Sequence, residues 1–298
     1  MVAACDPITF ATDSIGWYAL QVNANDIACT GGVPRWFFPT ILVPVGFPKR
    51  QAADIFHQIG SACRELGVTL AGGHSEVTPG IERPIIAGTM LGTVQPEDII
   101  RTAGAREGDS IVLTKGVAIE GTALLARECS EALLEAGVTP EVIRQSAELL
   151  TTPGISIVKD AQIARSVAEI HSMHDPTEGG LVTALRELAT ASGLGLAVEA
   201  GSIPVLPECQ QVCQALGLDP LGLLASGALL LTLPARDVPA VIRNLEGQGI
   251  AGWEIGQMLA PEEGLLLIGY QGETPLPEFP RDEIARYFSE QPRLNRDL

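Results

Sequence analysis

The sequence predicts a mixed protein of the α+β or α/β class, built from two unequal domains. Strand-like and helix-like stretches alternate along the chain, as in sheets that are covered by helices. A polar stretch with charges, proline and glycine, QPEDIIRTAGAREGD at residues 95–109, interrupts the alternation and predicts a domain boundary. The length of 298 residues also suits two domains. We therefore predict domains at residues 1–100 and 101–270, followed by a surface strap at residues 271–298.

The first domain is predicted to be rich in strands, because β-branched and aromatic residues are concentrated in it. The predicted strands occupy residues 3–10, 36–45, 68–72 and 84–94. Within residues 51–66, Ile55, Ile59 and Cys63 recur on one helical face. This pattern predicts an amphipathic helix, and Gly67 predicts its end.

The second domain is predicted to be rich in helices, with strands between and after them. The predicted helices occupy residues 117–136, 140–150, 155–168, 180–192, 206–217 and 237–248. The predicted strands occupy residues 110–114, 194–199, 227–233, 252–259 and 265–270. The proline-rich strap carries one short helical piece near residues 281–289.

The charge balance excludes several classes of partner. The chain has 36 acidic and 19 basic residues, a formal net charge of −17. Such a charge argues against binding to a nucleic-acid backbone and against docking on an anionic membrane. It leaves room for a small anionic ligand held by backbone N–H groups and by metal ions on acidic residues.

The compartment is predicted from the ends, the apolar runs and the cysteines. The start, MVAACDPITF, does not have the pattern of a signal peptide, and the longest apolar run, residues 223–233, is too short to cross a bilayer. The six cysteines contain no CxxC pair, and Cys209 and Cys213 suit one turn of a helix better than a metal or redox site. We expect a cytoplasmic protein.

Three segments of the first domain place acidic residues beside strand ends or glycine turns. They are CDPIT with Asp6, NANDIACTGG with Asn25 and Asp26, and AGGHSEVTPG with Gly72, Gly73, Ser75 and Glu76. If Asp6, Asp26 and Glu76 converge, their oxygens suit Mg²⁺ bound together with phosphates, and their mutual repulsion requires a cation. The alternative for each acid alone is a helix cap or an Asx-turn, and Asp26 in particular suits the start of a helix.

One segment of the second domain, HSMHDPTEGGLVTALRELA, combines Asp175, Thr177 and Glu178 with two glycines that open a helix. A strand, a loop and a helix that starts at glycines present unpaired N–H groups to an anion. The alternative is a capped turn without a ligand. His171 and His174 lie in a strand-like run, which predicts hydrogen-bonded structural histidines and not a metal pair.

Familiar nucleotide-binding motifs are missing from the sequence. GVAIEGTA, residues 116–123, has the glycine spacing of a P-loop, but Thr122 follows the second glycine where a lysine is required. No GxGxxG follows a strand, and no GxSxG occurs. A nucleotide would have to be bound without these devices.

Taken together, the segments resemble the superfamily of aminoimidazole ribonucleotide (AIR) synthetase, which includes HypE, selenophosphate synthetase and thiamine-monophosphate kinase. The resemblance lies in five blocks that follow in order along the chain: IGWYALQVNANDIACTGGVPRWF, LGVTLAGGHSEVTPG, GDSIVLTKGVAIEGTALLA, HDPTEGGLVTALRELATASGLGLAVE and IPVLPECQQVCQALGLDPLGLLASGALLLTL. The fourth and fifth blocks, and the later GWEIGQM, are most similar to HypE-like, AIR synthase-related members.

This resemblance implies a PurM-like architecture. Its N-terminal domain pairs with a twin to form a dimeric β-barrel, its C-terminal domain is an α/β sandwich, and ATP and Mg²⁺ lie between the domains. The resemblance implies metal contacts from Asp6, Asp26 and Glu76. It implies cofactor contacts from Asn25, Asp26, Gly72, Gly73, Ser75, Glu76, Gly179 and Gly180, and it places Asp175 and Thr177 beside the reacting group.

The sequence departs from the family pattern in three places. Family members carry a glycine-rich segment with paired acids before the first strand, whereas this sequence starts five residues before Asp6, so that the start is trimmed or the lid is lacking. HypE ends in a tail with a cysteine that accepts a carbamoyl group, whereas no cysteine follows Cys213 here. Glu178 replaces the arginine of the family's DPTRGGL.

Three functions are compatible with these observations. The first is an ATP- and Mg²⁺-dependent enzyme that phosphorylates or activates a small-molecule or protein acceptor. The second is a non-catalytic, dimeric nucleotide-binding protein or a partner in metalloenzyme, for instance hydrogenase, maturation. The third is a phosphotransferase similar to thiamine-monophosphate kinase.

Overall fold

The structure, a computed structural model, describes residues 1–9 and 13–290. The end of the predicted strand 3–10 and the last eight residues of the predicted strap lie outside these ranges. The described chain divides into two compact units, unit 1 up to Ile99 and unit 2 from Ile100.

Unit 1 consists of a five-stranded sheet and two helices. Its elements are β1 (Val2–Ile8), α1 (Ile15–Cys29), β2 (Val33–Val43), α2 (Lys49–Leu66), β3 (Thr69–Leu70), β4 (His74–Val77) and β5 (Ile85–Thr93). The strand order is β1-β5-β2-β3, and β4 also pairs with β2. Alternate residues of β2 are buried, among them Phe37 and Ile41, so one face of the sheet lies against the helices.

The predicted strands 3–10, 36–45 and 84–94 correspond to β1, β2 and β5, and the predicted helix corresponds to α2, which Gly67 ends with a left-handed φ of 65°. The strand at residues 68–72, predicted to be buried, is reduced to the two exposed residues of β3, and β4 is not predicted. Helix α1 is not predicted by the sequence analysis. Eleven of its fifteen residues are buried, including Gln21, Asn23 and Asn25, so it lacks the polar face that makes an amphipathic helix recognisable. The alternative in which Asp26 begins a helix is wrong, because Asp26 lies in the last turn of α1.

Unit 2 contains a seven-stranded sheet with helices. Its elements are β6 (Asp109–Thr114), α3 (Ile119–Glu128), α4 (Ser130–Glu135), α5 (Pro140–Glu148), α6 (Val158–Val167), β7 (Ser172–His174), α7 (Gly180–Ser192), β8 (Gly195–Glu199), α8 (Pro207–Leu216), β9 (Leu230–Pro234), α9 (Val238–Glu246), β10 (Gly252–Leu259), β11 (Leu265–Gly269), β12 (Gly272–Pro275) and α10 (Glu283–Glu290). The strand order is β12-β11-β8-β10-β6-β9-β7. All six residues of β6 are buried, which places this strand in the core of the unit. No described helix is long and apolar enough to cross a membrane.

Candidate functional site

Asp6 is fixed by a side chain of the neighbouring helix. Asn23, fully buried in α1, accepts a hydrogen bond from the Asp6 amide at 3.0 Å and donates one to the Asp6 carbonyl at 3.3 Å. Its Nδ2 also donates to the carbonyl of Ala19 at 2.8 Å. Gly88, opposite Asp6 in β5, leaves room for this amide, because a Cβ there would lie 2.4 Å from Asn23 Nδ2. Helix α1 therefore holds the backbone of the Asp6 segment.

Replacing Asn23 by Ala is expected to lower the free energy of unfolding by about 2 kcal/mol, because the peptide group of Asp6 loses its partner. Urea unfolding of the variant, followed by circular dichroism, measures the loss. Asn244→Ala is a matched control, since Asn244 also bonds a carbonyl four residues earlier in a helix, but at an exposed position. Equal stability of the two variants would contradict the prediction.

Asn25 and Asp26 lie beside Asn23 on the same helix. Asn25 is fully buried, whereas Asp26 is partly exposed, in the last turn of α1. A carboxylate in the last turn of a helix is disfavoured by the helix dipole. Asp26 is therefore not a helix N-cap, and its carboxylate lies at the negative end of the helix dipole.

Glu76 lies on the edge of the sheet in β4, where it is exposed. It accepts a hydrogen bond from Thr78 Oγ1 at 3.0 Å and lies 3.3 Å from His74 Nε2. These hydrogen bonds, that of His74 first, lower the pKa of the Glu76 carboxyl. The segment is shaped by Gly73, which has a φ of 149° and whose Cβ would lie 2.5 Å from the carbonyl oxygen of Pro39. Ser75, also exposed, is paired with Ile41 of β2.

The expectation that Asp6, Asp26 and Glu76 converge is wrong for a single chain. Asp6 of β1 pairs with Gly88 of β5, which in turn pairs with Pro39 of β2, and all three lie on the helix-covered face of the sheet. Glu76 of β4 pairs with Leu42 of β2, which lies on the other face. Three strand spacings, about 14 Å, separate β1 from β4. Among the described residues, no group of three His, Cys, Asp or Glu side chains is arranged to hold a metal ion.

In unit 2, the strand β7 leads into the loop 175–180, which starts with the buried Asp175. His174 lies 2.7 Å from Glu187 Oε2 and 3.9 Å from Asp175 Oδ1. Burial lowers the pKa of His174, but its bonds to the two carboxylates outweigh burial and raise the pKa to about 9. His171 lies 2.8 Å from Asp109 Oδ2. Both histidines are hydrogen-bonded, as predicted, and His174 is positively charged at neutral pH.

The glycines of this loop do not present unpaired N–H groups. The Gly179 amide donates to Asp282 Oδ2 at 2.6 Å, and the Gly180 amide donates to the Thr177 carbonyl at 3.1 Å. The same carbonyl accepts a bond from the Ala225 amide at 3.2 Å. The prediction of a free anion-binding helix start is therefore corrected, because carboxylate and carbonyl oxygens of this chain already accept these N–H groups.

Two acids beside this loop are missed by the sequence analysis. Glu120, in the first turn of α3, is 7% exposed, and Asp282, just before α10, is equally buried. Burial raises the pKa of Glu120 to about 7; Ser226 donates a hydrogen bond that opposes the shift, and the charges of Asp282, Glu178 and Asp175 add to it. The loop 175–180 therefore lies in a strongly acidic environment.

The comparisons with known proteins extend over both units. The family model "AIR synthase related protein, N-terminal domain" matches residues 2–94, and "AIR synthase related protein, C-terminal domain" matches residues 106–267. Carbamoyl dehydratase HypE of Cupriavidus necator is 31% identical over 271 residues, which are 87% of this chain and 73% of that protein.

Two solved structures show the same fold. The structure of the hydrogenase maturation protein HypE in complex with ATP has a TM-score of 0.74 and 24% identity, over 93% of this chain and 84% of that one. The structure of a HypE–HypF complex has a TM-score of 0.79 and 19% identity, over 93% of this chain and 90% of that one. The two units thus have the PurM-like architecture that the sequence predicts. The chain belongs to the AIR synthase-related protein family, in which its similarity is to HypE.

Proposed function

We propose that this protein is an ATP-dependent enzyme of the HypE-like type, which phosphorylates or activates a small-molecule or protein acceptor. The observation that carries the proposal is the 31% identity to a HypE over 87% of the chain, which includes both units. A HypE of this fold has been solved with ATP. Phosphoryl transfer from ATP depends mainly on positioning and on neutralisation of charge, which a scaffold of fixed acids, amides and glycines provides.

The nucleotide contacts are assigned to unit 1. Asp26 and the segment with Gly72, Gly73, Ser75 and Glu76 are the proposed contacts, and the fully buried Asn25 is proposed to position them. The support for them is local: Asp26 is a partly exposed acid at an unfavourable helix position, and the glycine-shaped segment exposes Ser75 and Glu76. A cytoplasmic location is part of the same proposal.

Mg²⁺ fits the acids of the Asp6 side of the sheet. Mg²⁺ in nucleotide sites is held by one or two carboxylates together with substrate phosphates, so a cage of three protein acids is not required. Asp6 is held by Asn23, and Asp26 follows on the same helix three residues later. These two acids would hold the ion, and Glu76, on the opposite face of the sheet, would not. The ion would neutralise charge on the phosphates.

Asp175 and Thr177 are proposed to lie beside the reacting group. Asp175 is buried next to the charged His174, and the Thr177 carbonyl fixes the loop through the Gly180 and Ala225 amides. Such a loop is rigid enough to orient an acceptor. The acids around it disfavour an acceptor with further negative charge.

A homodimer is proposed from the uncovered face of the unit 1 sheet. In the described residues of unit 1, α1 and α2 cover the face of Phe37 and Ile41. On the other face, the neighbouring strands β2 and β5 carry Trp36, Phe38 and Leu91, of which Trp36 is 36% exposed and the others are half-buried. Exposed apolar side chains on neighbouring strands are typical of an interface. A HypE has also been solved with the protein HypF, which supports a protein acceptor or partner.

Nucleotide binding tests the proposal. ATP with Mg²⁺ is expected to raise the melting temperature, since a ligand at about 100 times its Kd adds about 2.7 kcal/mol to the free energy of unfolding. Asp26→Asn is expected to weaken ATP binding at least about tenfold, a difference of about 1.4 kcal/mol. Titration calorimetry with and without Mg²⁺ measures both effects.

The matched control is Asp54→Asn, which removes a negative charge from an exposed position of α2. This variant is expected to bind ATP as the wild type does. Absence of any thermal shift with ATP and Mg²⁺ would refute ATP binding. Binding without turnover, with every acceptor tried, would favour the non-catalytic maturation partner over the enzyme.

A further inference from the structure

Residues 276–290 are the described part of the predicted strap that follows β12, and they are called the strap from this point on. The strap lies against the rest of unit 2 at the loop 175–180. It lies beyond residue 267, where the match to the family model ends. Arg186 of α7 donates to the carbonyls of Leu276 and Pro277 at 2.7 and 2.9 Å. The ring of Phe279 covers Gly222, whose Cβ would lie 2.4 Å from the ring. The strap is thus attached to α7 and to the turn that follows α8.

The second half of the strap makes further polar contacts with the same turn. Glu283 accepts a hydrogen bond from the Asp219 amide at 3.0 Å. Arg286 donates to the Gly217 carbonyl at 2.8 Å and pairs with Glu283 at 2.6 Å. The hydrogen bonds from Arg286 hold the pKa of Glu283 below its usual range. These bonds fix α10, and with it the residue that precedes this helix.

That residue is Asp282, whose carboxylate joins three segments of unit 2. Oδ1 accepts from the Ile284 amide at 2.7 Å and caps α10. Oδ2 accepts from the Gly179 amide at 2.6 Å, and the Leu224 amide also donates to this carboxylate. Gly179 is the N-cap residue of α7 and has no side chain with which to cap the helix. Asp282 accepts the hydrogen bond of the Gly179 amide from the strap, 103 residues later in the chain.

The surroundings of Asp282 disfavour the ionised form of its carboxyl. Asp282 is 7% exposed, burial raises the pKa of its carboxyl, and the nearby charge of Glu178 raises it further. No side chain fits at position 179 itself, because φ is 79° and a Cβ there would lie 2.2 Å from Thr183 Oγ1. The acceptor for the Gly179 amide is therefore supplied by a residue distant in the sequence, Asp282.

We propose that the strap is a latch on the loop 175–180, in which Asp282 is a positioning residue that holds Asp175 and Thr177 in place through the Gly179 amide. This inference rests on the proposed function for its catalytic consequence, but not for the latch itself. The loop is held by β7 at one end, by the two amides that donate to the Thr177 carbonyl, and by Gly179 at the other end, so release of Gly179 loosens the part of the loop that follows Thr177. The strap is then a working part of the candidate site.

The substitution Asp282→Ser is designed to remove the bond to the Gly179 amide while keeping the N-cap of α10. A serine still caps α10 through the Ile284 amide, but its hydroxyl is too short to reach Gly179 as well. In a protein labelled with ¹⁵N-glycine, the Gly179 amide proton is expected to move upfield, because a proton shared with a carboxylate is deshielded. Exchange of the loop amides with solvent deuterium is expected to be at least about tenfold faster, while β6 exchanges as before.

Arg281→Ala is the matched control within the strap. Arg281 bonds Ser289 and Glu290 at the surface and makes no contact with the loop in the described structure. Its substitution is expected to leave the Gly179 signal and the exchange of the loop unchanged. If Asp282→Ser also leaves both unchanged, the latch is refuted. If exchange accelerates throughout unit 2 instead, Asp282 is a general structural residue and the latch is likewise refuted.

Steady-state kinetics of ATP turnover test whether Asp282 is a positioning residue. With ATP turnover as the assay, Asp282→Ser is expected to lower kcat about tenfold to a hundredfold and to leave KM for ATP nearly unchanged, because the proposed ATP contacts lie in unit 1. A tenfold to hundredfold loss of kcat/KM that comes from a higher KM for ATP, with kcat unchanged, would contradict a positioning role. A wild-type protein without ATP binding or turnover would refute the proposed function, whereas the glycine signal and the exchange rates would still decide the latch.

Discussion

Replacing Asp160 by Ala is expected to lower the free energy of unfolding by about 3–5 kcal/mol, the range found when one partner of a buried ion pair is removed. Asp160 is 1% exposed and lies 3.2 Å from Lys115 Nζ, itself 5% exposed. Asp160 also accepts a hydrogen bond from Thr114 at 2.7 Å. Without the carboxylate, the buried Lys115 ammonium keeps its hydrogen bond to the Ser156 carbonyl but has no opposite charge beside it. Burial already lowers the pKa of Lys115, and Asp160 opposes this shift.

Urea unfolding at neutral pH measures the effect. The neighbouring Lys159→Ala is the control, since it removes a charge from an exposed position of the same helix. A double variant, Lys115→Met with Asp160→Leu, is expected to recover part of the loss, because two apolar groups leave no unpaired charge. A loss below about 1 kcal/mol for Asp160→Ala would show that the pair does not stabilise the fold.

The sequence predicts most elements of the fold because their ends are marked by particular residues. Helix α7 covers Gly180–Ser192 as predicted, since glycines precede it and Gly193 ends it in a left-handed conformation. Strand β10, Gly252–Leu259, also has the predicted bounds. Helix α1 escapes prediction for a physical reason: it is covered on nearly all sides, so its apolar residues show no periodicity.

The candidate site is less predictable, because its contacts join residues that are distant in the sequence. The pairing order of β1, β5, β2 and β4 separates Asp6 from Glu76, and no local pattern reveals that order. The bond between Gly179 and Asp282 spans 103 residues. Glu120 falls in GVAIEGTA, a segment that has the glycine spacing of a P-loop and belongs to the third family block, but neither pattern singles out the acid. A single signal could have drawn attention to it, namely an acid within an otherwise apolar helix start.

Glu120→Gln is expected to change the pH dependence of stability. The folded-state pKa of Glu120 is raised from 4.5 to about 7, first by burial and then by the charges of Asp282, Glu178 and Asp175. Between these two pH values the folded state keeps a proton that the unfolded state has lost. The stability contributed by this proton is fully present below about pH 4.5 and is lost as the pH rises through 7. The loss amounts to about 3 kcal/mol at about 1.4 kcal/mol per pKa unit.

Glutamine keeps the oxygen that accepts the hydrogen bond from Ser226 but carries no proton to lose. The variant is therefore expected to match the wild type near pH 4.5 and to become more stable than the wild type as the pH rises to 7 and above. Urea midpoints at four pH values between about 5 and 8 measure the difference.

Glu135→Gln, at an exposed position of α4, is the control and is expected to give a difference that does not vary with pH. A difference for Glu120→Gln that is equally independent of pH would show that the carboxyl ionises like an exposed one. The acidic environment of the loop 175–180 would then be screened by solvent. A difference that rises with pH would instead show that the Glu120 carboxyl is kept from water beside this loop.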